Sequence, residues 1–139
     1  MYFEEKKLNN FAPFALRIGF FIVFALFGLQ KLSNPSQTTA EIQLLLNWNL
    51  INAAPLNYYL GIIEIILGLL FLIGFQVRIA ALVAGFMLIM FFSSFLVKYG
   101  FSINPDLYRD IGLLGGAVAL FLLGGGLWSL DNRLKRKSS

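Results

Sequence analysis

Apolar positions along this chain fall into four nearly unbroken runs, 11–29, 56–75, 79–97 and 111–128, each 18 to 20 residues long. At about 1.5 Å rise per residue, such runs reach roughly 27–30 Å as helices, the depth of a bilayer's hydrocarbon core. The pattern predicts an all-α fold: an integral membrane four-helix bundle formed by a single domain, 1–139. The first run is expected to be retained rather than cleaved as a signal. It ends Gly28-Leu-Gln-Lys-Leu32 instead of a small-x-small site, and three more spans follow.

The connections differ in kind. Gln76-Val-Arg78, preceded by Gly74, is too short to do anything but fold the second and third spans into an antiparallel hairpin. The connection 98–110 is polar, and Asn104-Pro105-Asp106 suits a helix start with Asn104 capping and Pro105 in the first helical position. The longest connection, 30–55, contains Ile42, Leu45, Leu46 and Leu50 on one helical stripe within 41–51. Eleven residues cannot span a bilayer. A short interfacial helix between spans 1 and 2, anchored by Trp48 or capping the bundle, is expected there, as a plain amphipathic linker or as a lid.

Composition reinforces the membrane reading. Apolar residues are 58% of the chain and charged ones 13%, with 15 Phe among 139 residues. A water-soluble fold this small could not hide so much apolar surface, which excludes an ordinary soluble enzyme. The absence of Cys and His excludes disulfides, thiol chemistry, zinc sites and imidazole-ligated haem within this chain. Met87 and Met90 read as lipid-facing or core fillers rather than copper ligands, and no metal site is expected.

The +4 net charge reflects topology rather than nucleic-acid binding. With an even number of spans, Lys6, Lys7, Arg78, Arg133, Lys135, Arg136 and Lys137 share one side, while Lys31, Lys98 and Arg109 lie on the other. Seven against three places both termini in the cytoplasm, in the plasma membrane of the cell. The run 133–137 either marks topology alone or also meets anionic lipid headgroups.

Arg17 and Glu64 are the ionisable residues well inside apolar runs. A lone charge at that depth costs several kcal/mol, so such groups pair, snorkel or line a polar cavity. Glu64 lies seven residues past Asn57, about 10 Å into the second span from its outer end. Lys31, Lys98, Arg109 and Asp110 cluster at the outer span ends, whereas Arg17 lies toward the cytoplasmic end. Lys31 or Arg109 is therefore the better partner for Glu64. The candidate polar residues are Glu64, Lys31, Arg109, Asp110 and Arg17, either as ion pairs holding a bundle or as an outward-opening pocket for quinone heads, carboxylates or protons.

Small residues mark close helix packing. Gly61 and Gly68 flank Glu64, Gly28 shares the Arg17–Lys31 stripe, and Gly112 and Gly116 form a small-xxx-small step. Gly124-Gly125-Gly126 loosens or ends the last helix and lacks the context of a phosphate loop.

Several segments together resemble the DoxX family of small bacterial and archaeal membrane proteins. They are Arg17-Ile-Gly-Phe, Gly28-Leu-Gln-Lys31-Leu32, Gly61-Ile-Ile-Glu64-Ile-Ile-Leu-Gly68, Gly74-Phe-Gln-Val-Arg78-Ile-Ala-Ala81 and Gly124-Gly-Gly-Leu-Trp-Ser129-Leu130-Asp131. The resemblance implies four membrane helices with both termini inside. It also implies kinship with small subunits associated with a terminal quinol oxidase or with thiosulfate:quinone oxidoreductase. More distant relatives handle thiols, a role for which this chain has no Cys. The expectation is an accessory or subunit-type membrane protein linked to quinone redox complexes. It has no cofactor of its own beyond a quinone it could contact, and its partners are membrane lipid and a redox complex or a second copy of itself. Two other classes stay open: a small-molecule binding or transport-related protein, and a purely structural subunit.

Overall fold

The computed structural model describes residues 2–46, 52–100 and 105–137, with side chains described for 11–43, 52–100 and 108–137. Among these residues the fold is all-α. The helices are α1 (Tyr2–Ser33), α2 (Pro35–Leu46), α3 (Ala53–Ile73), α4 (Val77–Tyr99), α5 (Pro105–Leu123) and α6 (Leu130–Lys137). Three of them, α1 over Phe11–Ser33, α3 and α4, are long and apolar enough to cross a membrane. Their outward faces carry Ile22, Leu26, Leu69, Ile73, Leu82 and Phe86, all exposed, as a lipid-facing surface requires. This is a multi-pass membrane protein.

The fourth apolar run behaves differently from the others. α5 begins at Pro105, where the sequence predicts a helix start, but its first turn and a half is polar. It stops at Leu123, short of the expected end at 128, because Gly124 and Gly126 both take φ of 73°. A left-handed backbone is cheap only for glycine, and the Gly124 N–H closes on the Leu120 carbonyl at 2.8 Å. Leu127 and Trp128 therefore lie in a turn beyond the helix.

The connection 30–55 also differs from expectation. α2 starts at Pro35, seven residues before the first residue of the apolar stripe, after a single non-helical residue, Asn34. Asn34-Pro35 repeats the signature of Asn104-Pro105. Trp48 and Leu50 lie outside the described residues, and Leu45 and Leu46 are described for backbone alone.

Packing follows the small residues. A Cβ on Gly28 would stand 2.6 Å from the Gly61 carbonyl oxygen and 3.0 Å from the Ile65 nitrogen, so α1 and α3 touch backbone to backbone. Gly68 continues the seam, facing the Ala25 nitrogen at 3.3 Å. Gly116 receives the Phe20 ring, whereas among the described residues a Cβ on Gly112 would meet nothing within 4 Å. α4 packs along α5 through Ala81, Ala84 and Ala117. Phe20, Phe24 and Phe71 fill the centre, their ring centroids 5.1 to 6.1 Å apart.

Candidate functional site

Polar chemistry gathers at the two ends of this bundle. At the α3–α4 turn end, Arg17 is fully buried and its guanidinium serves the backbone. Nε donates to the Phe71 carbonyl at 2.7 Å, and Nη2 to Leu72 at 2.8 Å. Nη1 donates to Gly125 at 3.0 Å and Trp128 at 3.2 Å. Four of the five guanidinium N–H groups are thus matched to carbonyls, two of them at the C-terminus of α3, where a cation also meets the helix dipole favourably.

The neighbouring N-terminus of α4 has no acidic residue of its own, and its cap position, Gln76, offers no side-chain hydrogen bond. Asp131 supplies what is missing. Its carboxylate accepts from the Gln76 N–H at 2.7 Å and the Val77 N–H at 3.0 Å, while its own N–H donates to the Gly74 carbonyl. Gly74 sits between the two charged residues at φ of 75°, and a Cβ there would lie 2.5 Å from Arg17 Nη2. This end is closed. Arg17, grouped by sequence with the Glu64 network, belongs instead to this clamp, nearly four helical turns from Lys31.

The other end is open. Lys31 Nζ stands 2.8 Å from both Oε1 and Oε2 of Glu64, joining the end of α1 to the middle of α3. The Gly28–Gly61 contact, one turn away on both helices, brings the two chains close enough for that pair. Lys31 Nζ also lies 5.6 Å from the Phe27 ring centroid and 5.9 Å from that of Phe91, within cation–π reach. Arg109 approaches Phe27 from α5, Cζ at 4.7 Å, with its Nε 3.2 Å from Asp110. Asn57 donates to the Lys31 carbonyl at 3.1 Å, tying down the last turn of α1.

These groups wall a cavity of about 440 Å³, within the ~300–1,000 Å³ span of small-ligand sites. α2 covers it with Thr38, Glu41 and Ile42, and α4 lines it with Met87, Phe91 and Tyr99. Of the candidate residues, Lys31, Glu64, Arg109 and Asp110 are brought to this one cavity. An ammonium carries three N–H donors, and two suffice for Glu64, so the pair keeps one donor and several carboxylate lone pairs for a guest. Among the described residues no cluster of three or more metal-ligating side chains occurs.

Sequence reasoning passed over Phe27, Thr38 and Glu41. Phe27 lies one turn before Lys31 on the same stripe, a signal that was available. Thr38 and Glu41 became lining residues because α2 starts at Pro35, which the Asn-Pro pair announces.

The DoxX family model matches residues 12–98, well over half of the chain. The chain belongs to the DoxX family. No curated protein and no solved structure gives a significant match. The DoxX match contains Arg17, Gly28, Lys31, Glu64 and Gly74, and so spans the α1–α3 seam with its ion pair. The wall contributed by α5, with Arg109 and Asp110, and the Asp131 half of the clamp lie beyond the matched DoxX region.

Proposed function

We propose that this DoxX protein binds the head of a membrane quinone beside Lys31 and Glu64, as an accessory subunit of a quinone-linked redox complex. The observation that carries the reading is the Lys31–Glu64 pair on the wall of a 440 Å³ cavity bounded by aromatic rings. A quinone head is flat, which suits Phe27 and Phe91, and its carbonyl oxygens accept hydrogen bonds from cationic donors such as Lys31 and Arg109. The reduced form would donate its hydroxyls to Glu64. Electrons are left to a partner, since neither Cys nor His is present in the chain to ligate a redox metal.

In this reading α5 is the fourth crossing, its apolar length extended by the 124–128 turn, and α2 lies at the outer surface. Both termini face the cytoplasm, as seven basic residues against three favour.

The test is binding of a short-chain quinone to the purified protein, followed by quenching of aromatic fluorescence, in wild type, Lys31→Met and Glu64→Gln. Affinity should fall about tenfold or more in each variant, the loss of one charge-assisted hydrogen bond. Equal affinity in all three would reject the site. Extraction in mild detergent should bring a haem- or flavin-containing partner with the wild-type protein, and its absence would reject the subunit role.

A further inference from the structure

A second, narrower cavity of about 70 Å³ lies beside the first and shares three of its lining residues, Ile42, Met87 and Phe91. Leu56 and Leu60 of α3 and Met90 and Ser94 of α4 complete its lining. Its surface is almost wholly hydrocarbon, and the one hydroxyl, Ser94 Oγ, already donates to the Met90 carbonyl at 2.9 Å. Nothing in it asks for a polar guest. Met90 is half exposed on the outer face of α4, so this cavity reaches from the polar chamber toward the lipid-facing surface.

Two of the seams between neighbouring long helices are loosely joined, α3–α4 and α1–α5, and the cavity lies at the first. α1 packs densely on α3 and α4 on α5, whereas α3 and α4 make few close approaches although a tight turn connects them. Of these two loose seams, α3–α4 is the one the apolar cavity enters, so a chain leaving the polar chamber there crosses few close helix contacts. Met87 and Met90 line it with unbranched, adaptable side chains that can re-pack around a guest.

Resting on the reading of the Lys31–Glu64 cavity as a quinone-head site, we propose that the isoprenoid chain of the same molecule leaves through the α3–α4 seam, so that the ligand enters sideways from the bilayer. The two adjoining chambers divide as such a molecule does: charged groups and rings around the larger, hydrocarbon around the smaller. A ligand arriving from water would fill only the first. The seam is narrow, with room for the start of one hydrocarbon chain and none for a second ring system.

The test compares an isoprenyl quinone with its tail-less benzoquinone head, binding to the full-length protein in nanodiscs. Wild type should prefer the isoprenyl form by about tenfold. Leu60→Trp and Ser94→Phe, which plug the seam, should abolish that preference while binding of the bare head stays within about twofold of wild type. A preference that survives both plugs would overturn the seam route and leave the head site standing. Binding of neither quinone to wild type would remove the head site and the seam together. Should Leu60→Trp fail to fold, Ser94→Phe, at a smaller and partly exposed position, decides alone. A phospholipid with a photoreactive acyl chain gives an independent readout. Labelling of α4 at Met90 that isoprenyl quinone competes away supports the proposal, and labelling that it does not compete away assigns the seam to lipid and overturns it.

Discussion

The two ends of the bundle use charge in opposite ways. At the α3–α4 turn, Arg17 and Asp131 are matched to backbone groups at the C-terminus of one helix and the N-terminus of the next, with Gly74 and Gly125 making room. Beneath α2, Lys31 and Glu64 meet each other on the wall of a chamber and keep hydrogen-bonding capacity in reserve. Each end combines a cation from α1 with a carboxylate, Asp131 of α6 at one and Glu64 of α3 at the other. A charge that satisfies carbonyls and N–H groups is closed to ligands. One that satisfies only another side chain beside open space remains available to them.

The largest effect should come from the closed end. Arg17→Met strips four carbonyls of their donor in a site that water does not reach, and it should lower stability by about 3–5 kcal/mol. Arg17→Lys should recover little of it, because one ammonium cannot span the Phe71, Leu72 and Gly125 carbonyls as a planar fork does. Denaturant unfolding in micelles measures both. A loss under about 1 kcal/mol for Arg17→Met would break the comparison at its firmer side.

Next comes the seam that delivers Lys31 to Glu64. Gly28→Ala places a methyl against the Gly61 carbonyl and the Ile65 nitrogen, neither of which can move aside as a side-chain tip could. A cost of about 1–3 kcal/mol is expected, together with weaker quinone binding as the ion pair is pulled apart. Gly112→Ala, where the added methyl meets no described atom within 4 Å, is the control and should cost no stability. Equal effects at the two glycines would mean that the α1–α3 contact does not set the site.

Asp131→Asn should rank third, at about 1–2 kcal/mol, since the amide can still accept from one of the two N–H groups but loses the charge facing the α4 dipole. Ligand affinity should be unaffected, because the clamp and the chamber occupy opposite ends. A drop in quinone affinity would show the two ends to be coupled.

These residues were unequally legible in the sequence. The three long spans and the Gly74 turn follow from hydropathy and chain length, which need no tertiary knowledge. Depth narrows the partner of Glu64 to Lys31 or Arg109, because few groups of opposite sign could reach it, and the structure pairs it with Lys31. The Arg17 clamp was illegible for a physical reason: its partners are backbone carbonyls, which every residue carries and no residue type announces. Asp131 was visible as part of a motif, but its acceptor role lies 55 residues away, at a helix end that has no cap of its own. Hydropathy carries the last apolar run to Trp128, but the triple glycine reads as the place where the helix ends, and the left-handed backbone of Gly124 and Gly126 ends α5 there.

The smallest stability change should fall on Glu64, and it sharpens the comparison most. Glu64→Gln keeps the size of the side chain and one acceptor for Lys31. The ammonium it leaves behind retains the Phe27 and Phe91 rings and, lying near the end of α1, can extend along its aliphatic stem toward the interface. The loss should stay at about 1 kcal/mol or less, one hydrogen bond exchanged for a weaker one while the ammonium shifts toward the interface. Lys31→Met should cost more, because it strands a carboxylate that is only 4% exposed and has no comparable freedom to relocate. Unfolding of both single variants and the double in micelles completes the cycle, and a coupling of roughly 0.5–3 kcal/mol is expected for groups in direct contact. Glu64→Gln should nonetheless lose quinone affinity, so that a side chain almost neutral for stability matters for binding. Glu64→Gln as destabilising as Arg17→Met, with unchanged quinone affinity, would make the α2 end a second clamp and erase the distinction between the two.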